Sequence, residues 1–489
     1  MKVKSVGLLS LCGMLLSSVT VWSLTKERPL TELSPDPVGI AETQDPPAAV
    51  GATFTAGRTI MLEGRLGHPT LQAERPGETF MLLTATADKD AATSAASPLN
   101  LSIVIDRSGS MKGRRLSNAL DAARGMVGRL RDGDAVSVVT YNTTTDAIVP
   151  STTIDSFSRD RALRALSAIS AGGDTCISCG IDAGMEQLRR RSGMVDRVLL
   201  LSDGEATAGV RNVEGFRSIG ARVRSMGASI SAIGVDVEYN ERVMSALALE
   251  SNGRHHFVEN AAKLPEVFDA ELNSLVKTVA KDTEVELALA PGVKVERVFD
   301  RTFRQDGDRL FVPFGTFSAG EQKTLLIKLA IAKGAQGARP VADVKMTYDD
   351  FALGGRGNCA GSLALQLTED ESQVAELDPV VQTRLVRSET AATLKEANRL
   401  FASGRTSEAR GALKRSLDQV NRQRQAALAQ APAQAREKLK ADFDDQSGAL
   451  GEASEGFAAP PADAPAGAAA PRPAAQVRKN ASTADEFAF

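Results

Sequence analysis

The chain has 489 residues, 43% of them apolar and 4% aromatic, with a formal net charge of −3 and an isoelectric point near 5.9. That length predicts two or three domains, with enough apolar content for packed cores. The lack of a basic excess argues against nucleic acid as a partner.

In chain order, Lys2 and Lys4 precede an uncharged apolar run from Ser5 to Leu24. Residues 1–24 read as a signal peptide, with Ser23 as a small residue at the cleavage point, or as an uncleaved anchor of just sufficient length. Cys12 follows Leu11, which is too bulky for a typical lipoprotein signal. Either reading places the body outside the cytoplasm, in the periplasm, the cell envelope or the medium, with membrane contact only through that anchor. Residues 25–50 carry Pro, Asp, Glu and Thr with little periodicity and read as a linker. Residues 51–90 hold strand signals at 59–63 and 78–83, separated by turn residues Gly67, Pro69, Pro76 and Gly77.

Between 97 and 280, strand patterns at 100–106, 135–141, 145–150, 197–202, 229–235 and 255–258 alternate with helical patterns. The helical stretches fall near 113–130, 160–169, 177–191, 212–226, 240–250 and 262–279. The second and third strands are too close for a crossover helix, which predicts a hairpin around Asn142, Thr143 and Thr144. The fold class is therefore α/β, a doubly wound, Rossmann-like, mostly parallel sheet with an antiparallel edge. Residues 281–368 return to period-two alternation (Val285, Leu287, Leu289) with turns at Pro291-Gly292, Asp306-Gly307 and Ala319-Gly320, which predicts a β-sandwich-like module. Segment 51–90 alone offers about two strands, and an isolated hairpin is marginal. The economical solution is one sandwich built from both β segments, with the α/β domain inserted between them. Residues 373–445 read as a helical region. Ala397, Leu400 and Phe401, then Gly404, then Ala409, Leu413 and Leu417 make an amphipathic hairpin similar to one tetratricopeptide unit, which needs a neighbour to cover its face. Residues 446–489 are expected to be a disordered Ala/Pro-rich tail.

The chemistry concentrates on the α/β domain. Its first strand stops on Asp106, and hydroxyls follow at alternate positions, Ser108 and Ser110. A buried strand ending on a carboxylate places that charge at the sheet's carboxyl edge, where open α/β sheets bind ligands. Ala171, Gly172, Gly173 and Asp174 form a turn delivering Thr175, and the apolar run 198–201 leads through Ser202 to Asp203. Oxygen-only donors of this kind suit a hard divalent cation, Mg2+ first, with Ca2+ or Mn2+ also compatible. Asp106, Ser108, Ser110, Thr175 and Asp203 together resemble the metal-ion-dependent adhesion site of von Willebrand factor A (VWA) domains. The resemblance covers about 180 residues. It implies that Ser108, Ser110 and Thr175 ligate the metal directly, that Asp106 and Asp203 hold it mainly through water, and that an open position takes an acidic residue of a partner protein. The order β segment, VWA domain, β module resembles the bacterial relatives of inter-alpha-trypsin inhibitor heavy chains.

Several of these residues also admit other roles. A strand ending in Asp also supplies the nucleophile of haloacid-dehalogenase-type phosphatases, but the second carboxylate they need is Ser108 here, which cannot protonate a leaving group at neutral pH. Helix capping could account for Ser110, though not for Asp106 or Asp203. Cys176 and Cys179 have a redox spacing at a helix start, yet export favours a local Cys176–Cys179 disulfide, with pairing of either to Cys359 as the second arrangement. Alternation sends one of His255 and His256 inward and the other outward, as a core and a surface histidine. The reading is an exported metal-dependent adhesion or assembly module and not an enzyme. The alternatives are an envelope scaffold with a vestigial metal site and a thiol-redox enzyme using the two cysteines.

Overall fold

The computed structural model describes residues 51–91, 98–236, 239–431, 433–458 and 471–488. The signal or anchor read at 1–24 and the linker read at 25–50 lie outside the described residues. All described residues belong to one compact unit, Pro47–Phe489.

Four strands come first: β1 (Thr53–Gly57), β2 (Ile60–Leu66), β3 (Thr70–Gln72) and β4 (Gly77–Ala87). The α/β domain follows as β5 (Leu99–Asp106), α1 (Arg114–Arg129), β6 (Ala135–Tyr141), β7 (Thr145–Thr153), α2 (Ser156–Ala165), α3 (Ile177–Leu188) and β8 (Val195–Ser202). It continues through α4 (Val213–Ser225), β9 (Ser229–Val235), α5 (Glu241–Glu250), β10 (His255–Val258) and α6 (Leu264–Val276). Seven strands return to the first module: β11 (Thr278–Leu289), β12 (Val293–Val298), β13 (Arg304–Asp306), β14 (Arg309–Ser318), β15 (Gln322–Ile331), β16 (Gly337–Asp350) and β17 (Arg356–Thr368). The helices α7 (Pro379–Ala402), α8 (Thr406–Gln430), α9 (Ala433–Gly456) and α10 (Pro471–Ala488) close the chain.

Among the described residues the α/β sheet runs β10-β9-β8-β5-β6-β7. Its pairs are parallel except β6 with β7, which form the expected hairpin. All eight residues of β5 are buried, as a central strand covered on both faces requires. One face packs on α1 and α6 through Leu120, Val127, Phe268 and Leu272. The other packs on α3, α4 and α5 through Ile181, Phe216 and Leu247. Helix α3 approaches closely because Gly180 and Gly184 face the sheet; a Cβ on Gly180 would lie 2.6 Å from the Tyr141 ring.

The two β segments share one sandwich. Strand β4 pairs along its length with β15, from Gly77↔Ile331 to Thr86↔Gln322, in a sheet ordered β1-β2-β4-β15-β12. Strand β3 lies parallel to β17 at the edge of the facing sheet, β13-β14-β11-β16-β17-β3. Leu62, Met81, Leu83 and Ile327 meet Val285, Leu287, Val312 and Met346 between them. Aligned packing of two alternating faces explains why the period-two pattern was readable.

The expected disordered tail over 446–489 is corrected. Residues 446–456 complete α9, and 471–488 form α10. Val477, Ala481, Ala484 and Phe487 recur at helical spacing and are buried, so the segment has an apolar face that a compositional reading of the Ala/Pro tract conceals. Residues 459–470 of that tract lie outside the described residues. The helices α7, α8, α9 and α10 share one core, including Leu394, Leu413, Phe443 and Phe487, and Val381 of α7 docks on Leu82, Phe299 and Leu326 of the sandwich. This is the neighbour that the lone hairpin required.

Candidate metal centre

The carboxyl pole of the α/β sheet collects the five expected residues. Asp106 closes β5 and is fully buried, as is Asp203, which follows β8. The chain after Asp106 turns back at once: Ser108 N–H donates to Asp106 Oδ1 at 2.8 Å, and Ser202 Oγ donates to Asp106 Oδ2 at 2.7 Å. The two serine hydroxyls lie 3.1 Å apart, and Ser110 Oγ donates to Asp203 Oδ1 at 2.7 Å. Helix α1 starts after Gly113 with no side-chain cap, so Ser110 serves the pole and not the helix terminus.

Thr175 arrives on the glycine turn, which four neighbours, Asn142, Thr143, Gly109 and Thr207, hold in place. Gly173 has φ 86° and would bring a Cβ within 2.8 Å of Asn142 Nδ2, so only glycine fits that bend comfortably. Asn142 Nδ2 donates to Gly172 O at 2.5 Å, and Thr143 Oγ1 accepts from Asp174 N–H at 3.0 Å. Gly109 N–H donates to Gly173 O at 3.1 Å, and Thr175 N–H donates to Thr207 Oγ1 at 2.9 Å. Gly204 faces the result, since a Cβ there would lie 3.5 Å from Ser110 Oγ and 3.9 Å from Thr175 Oγ1. Gly109, Ser110, Asp174 and Glu205 form an exposed rim over the buried carboxylates.

The electrostatics suit a divalent cation beside Asp106. Burial pushes the Asp106 carboxyl up to about 6, against the hydrogen bonds from Ser108 and Ser202, and the nearby Asp203 charge adds to the rise. Two close, desolvated carboxylates raise each other's proton affinity unless a positive charge joins them. Among the described residues no group of three or more His, Cys, Asp or Glu side chains is placed to hold a metal ion. Any site at this pole depends on hydroxyls as well, and three hydroxyls beside two carboxylates are a hard-cation donor set.

Sequence reasoning missed the supporting residues. Ser202 precedes Asp203 and was read only as strand. Asn142, Thr143 and Thr207 hold the glycine turn. Arg115 donates to Asp203 Oδ2 at 3.0 Å and to Asp236 Oδ2 at 2.6 Å. The available signals were a basic residue in a helix's first turn and a third strand, β9, ending at an Asp.

The cysteines divide into one local pair and one free thiol. Cys176 and Cys179 form a disulfide in the first turn of α3, and Cys176 is buried. Cys359 is free and buried, and burial pushes its thiol up to about 12. The histidines split as expected. His255 is enclosed between Tyr239 and Asp485, at 3.1 and 3.0 Å, while the part-exposed His256 meets Glu271 at 2.8 Å.

The amino pole, opposite the candidate site, carries a buried ionic network. Glu271 accepts from Ser231 Oγ at 2.6 Å, and Arg254 bridges toward Glu271 at 3.8 Å and Glu321 at 3.0 Å. Arg197 donates to Ser231 Oγ at 3.2 Å and to Thr316 Oγ1 of the sandwich at 3.3 Å. Burial raises Glu271, but the hydrogen bond from His256 and the charges of His256, Arg197 and Arg254 outweigh it and hold the carboxyl at about 2.

The family model for the von Willebrand factor type A domain matches residues 100–270. An uncharacterized protein of Synechocystis sp. is 24% identical over 334 residues, 66% of this chain and 78% of its own. Human inter-alpha-trypsin inhibitor heavy chain H4 is 25% identical over 219 residues, 42% of this chain and 23% of its own. The solved von Willebrand factor type A structure from Catenulispora acidiphila superposes with a TM-score of 0.65 at 18% identity, covering 84% of this chain and 93% of that one.

Proposed function

Because residues 100–270 form a VWA domain, a fold that generally mediates protein–protein interaction, we propose that this chain is an exported protein that binds another protein through a divalent cation, and that it is not an enzyme. One observation carries the reading: Asp106, Ser108, Ser110, Thr175 and Asp203, from three separate stretches of chain, converge under an open rim. Ser108, Ser110 and Thr175 would hold Mg2+ directly, with Asp106 and Asp203 behind it through water. When bound, the ion supplies a positive charge with a free coordination position, and an acidic side chain of the partner fits that position. The exposed rim leaves room for it.

Export is supported by the apolar run at 5–24 and by the disulfide, which persists best in an oxidising compartment. Among the described residues no helix is long and apolar enough to cross a membrane. A pull-down from envelope extract with the full chain, with and without EDTA, tests the reading. Partner recovery should require Mg2+ and disappear in the Asp106→Asn variant. Recovery that EDTA leaves unchanged points to a scaffold with a vestigial site.

A further inference from the structure

Arg115 is the second residue of α1, in a first turn that holds no acidic residue. The amino end of a helix disfavours a cation, so its position calls for an explanation. The guanidinium folds back over the carboxyl pole, donating to Asp203 Oδ2 at 3.0 Å and to the Ser110 carbonyl at 3.1 Å. Its other edge holds Asp236 Oδ2 at 2.6 and 3.1 Å. Asp236 stands just beyond β9 in the left-handed region, at φ 63°, an uncommon conformation for a residue other than glycine. Asp203 therefore gives one oxygen to the Ser110 hydroxyl and the other to Arg115.

We propose that Arg115 is the site's resident counter-cation. It neutralises Asp203 when no metal is bound, keeps the pole assembled, and thereby sets the metal affinity lower than the donor set alone would give. The inference rests on the Mg2+ reading above. Asp203 is fully buried and the Arg115 side chain is 26% exposed, so their attraction is only partly screened. A divalent ion entering beside Asp203 meets a carboxylate already half compensated and a positive charge a few ångströms away. Asp236 offers Arg115 a second carboxylate, so the guanidinium has a place to stay when Asp203 serves an ion. Removing the positive charge should tighten Mg2+ binding by about tenfold, the scale of a charge–charge coupling near a protein surface after screening.

The test is calorimetric titration of Mg2+ into the full chain carrying Arg115→Gln, Arg115→Met or Arg115→Lys, beside the unaltered protein. The Met variant keeps the aliphatic stem in case the Gln variant folds poorly. The two neutral variants should bind Mg2+ about tenfold more tightly and melt at a lower temperature without metal. The Lys variant, which keeps the charge, should bind within about threefold of the unaltered protein. Equal or weaker binding by the neutral variants overturns the counter-cation role, because it makes Arg115 a mere positioning group; the Mg2+ reading then survives. No heat from any of the four proteins overturns the Mg2+ reading and this inference together.

Discussion

The two poles of the α/β sheet use the same residue types to opposite ends. At the carboxyl pole, Asp106 is buried and its carboxyl is pushed up to about 6. At the amino pole, Glu271 is equally buried and its carboxyl is held at about 2. Burial raises both; what differs is the company. Glu271 has His256 and Arg254 in contact and Arg197 nearby. Asp106 has two serines and a backbone N–H, with the negative charge of Asp203 close by. A carboxylate fully compensated by the protein is structural, whereas one left under-compensated beneath an exposed rim is poised for a ligand. The amino pole joins the VWA domain to the sandwich, for Glu321 and Thr316 come from the sandwich side. It thus fixes the base from which the opposite pole projects.

The largest expected effect comes from breaking the compensated pole. Glu271→Ala leaves the buried Arg197 and the part-exposed Arg254 without their carboxylate and should cost about 3 kcal/mol of stability, measured by urea denaturation of the full chain. A loss below about 1 kcal/mol would mean that the network is not structural.

The poised pole should behave in the opposite sense. Asp106→Asn should raise metal-free stability at pH 7 by about 1–2 kcal/mol, the relief of an unfavourable buried charge less a weakened hydrogen bond. The pH dependence follows from the signs. The Asp106 carboxyl is raised in the folded state, so its contribution is present below about pH 4 and is lost as pH rises through about 6. The Glu271 carboxyl is depressed, so its contribution is present above about pH 4.5 and is lost as pH falls toward 2. Melting curves from pH 3 to 8 without metal should therefore show a shallower decline between pH 4 and 6 in Asp106→Asn, the remainder belonging to groups such as Asp196, whose carboxyl burial also pushes up to about 6. An unchanged profile would show that Asp106 is not under-compensated.

A smaller effect concerns the edge of the compensated pole. Asp485 on α10 pairs with His255 and Lys395, and burial notwithstanding, these partners hold its carboxyl at about 2. Asp485→Asn should cost about 1 kcal/mol and speed hydrogen exchange across 471–488 while leaving β5 protected. Equal loss of protection in both places would mean that α10 is integral to the VWA core.

The contrast between the poles also marks what the sequence made legible. The carboxyl pole announces itself because its residues sit at strand ends and in a glycine turn, where period and punctuation agree. Strand alternation likewise revealed the shared sandwich. The amino-pole network was silent, because Arg197, Arg254, Glu271 and Glu321 are ordinary charges until the fold brings four separate stretches of chain together. Arg115 and Asp236 were missed for the same reason, being 121 residues apart and in contact. Helix α10 was missed because the Ala/Pro tract before it dominates the local composition, while its buried apolar face is short and largely alanine: Val477, Ala481, Ala484, Phe487 and Ala488.

The most direct test of the account is the melting temperature of the full chain with and without millimolar Mg2+, for the unaltered protein and for Asp106→Asn. Only the folded state assembles Asp106, Ser108, Ser110, Thr175 and Asp203, so Mg2+ should raise the melting temperature by RT ln(1 + [L]/Kd) in free-energy terms, about 2.7 kcal/mol at a hundredfold excess over Kd. The variant should be folded and indifferent to Mg2+. An equal rise in both proteins, or no rise in the unaltered one, would contradict the assigned metal centre.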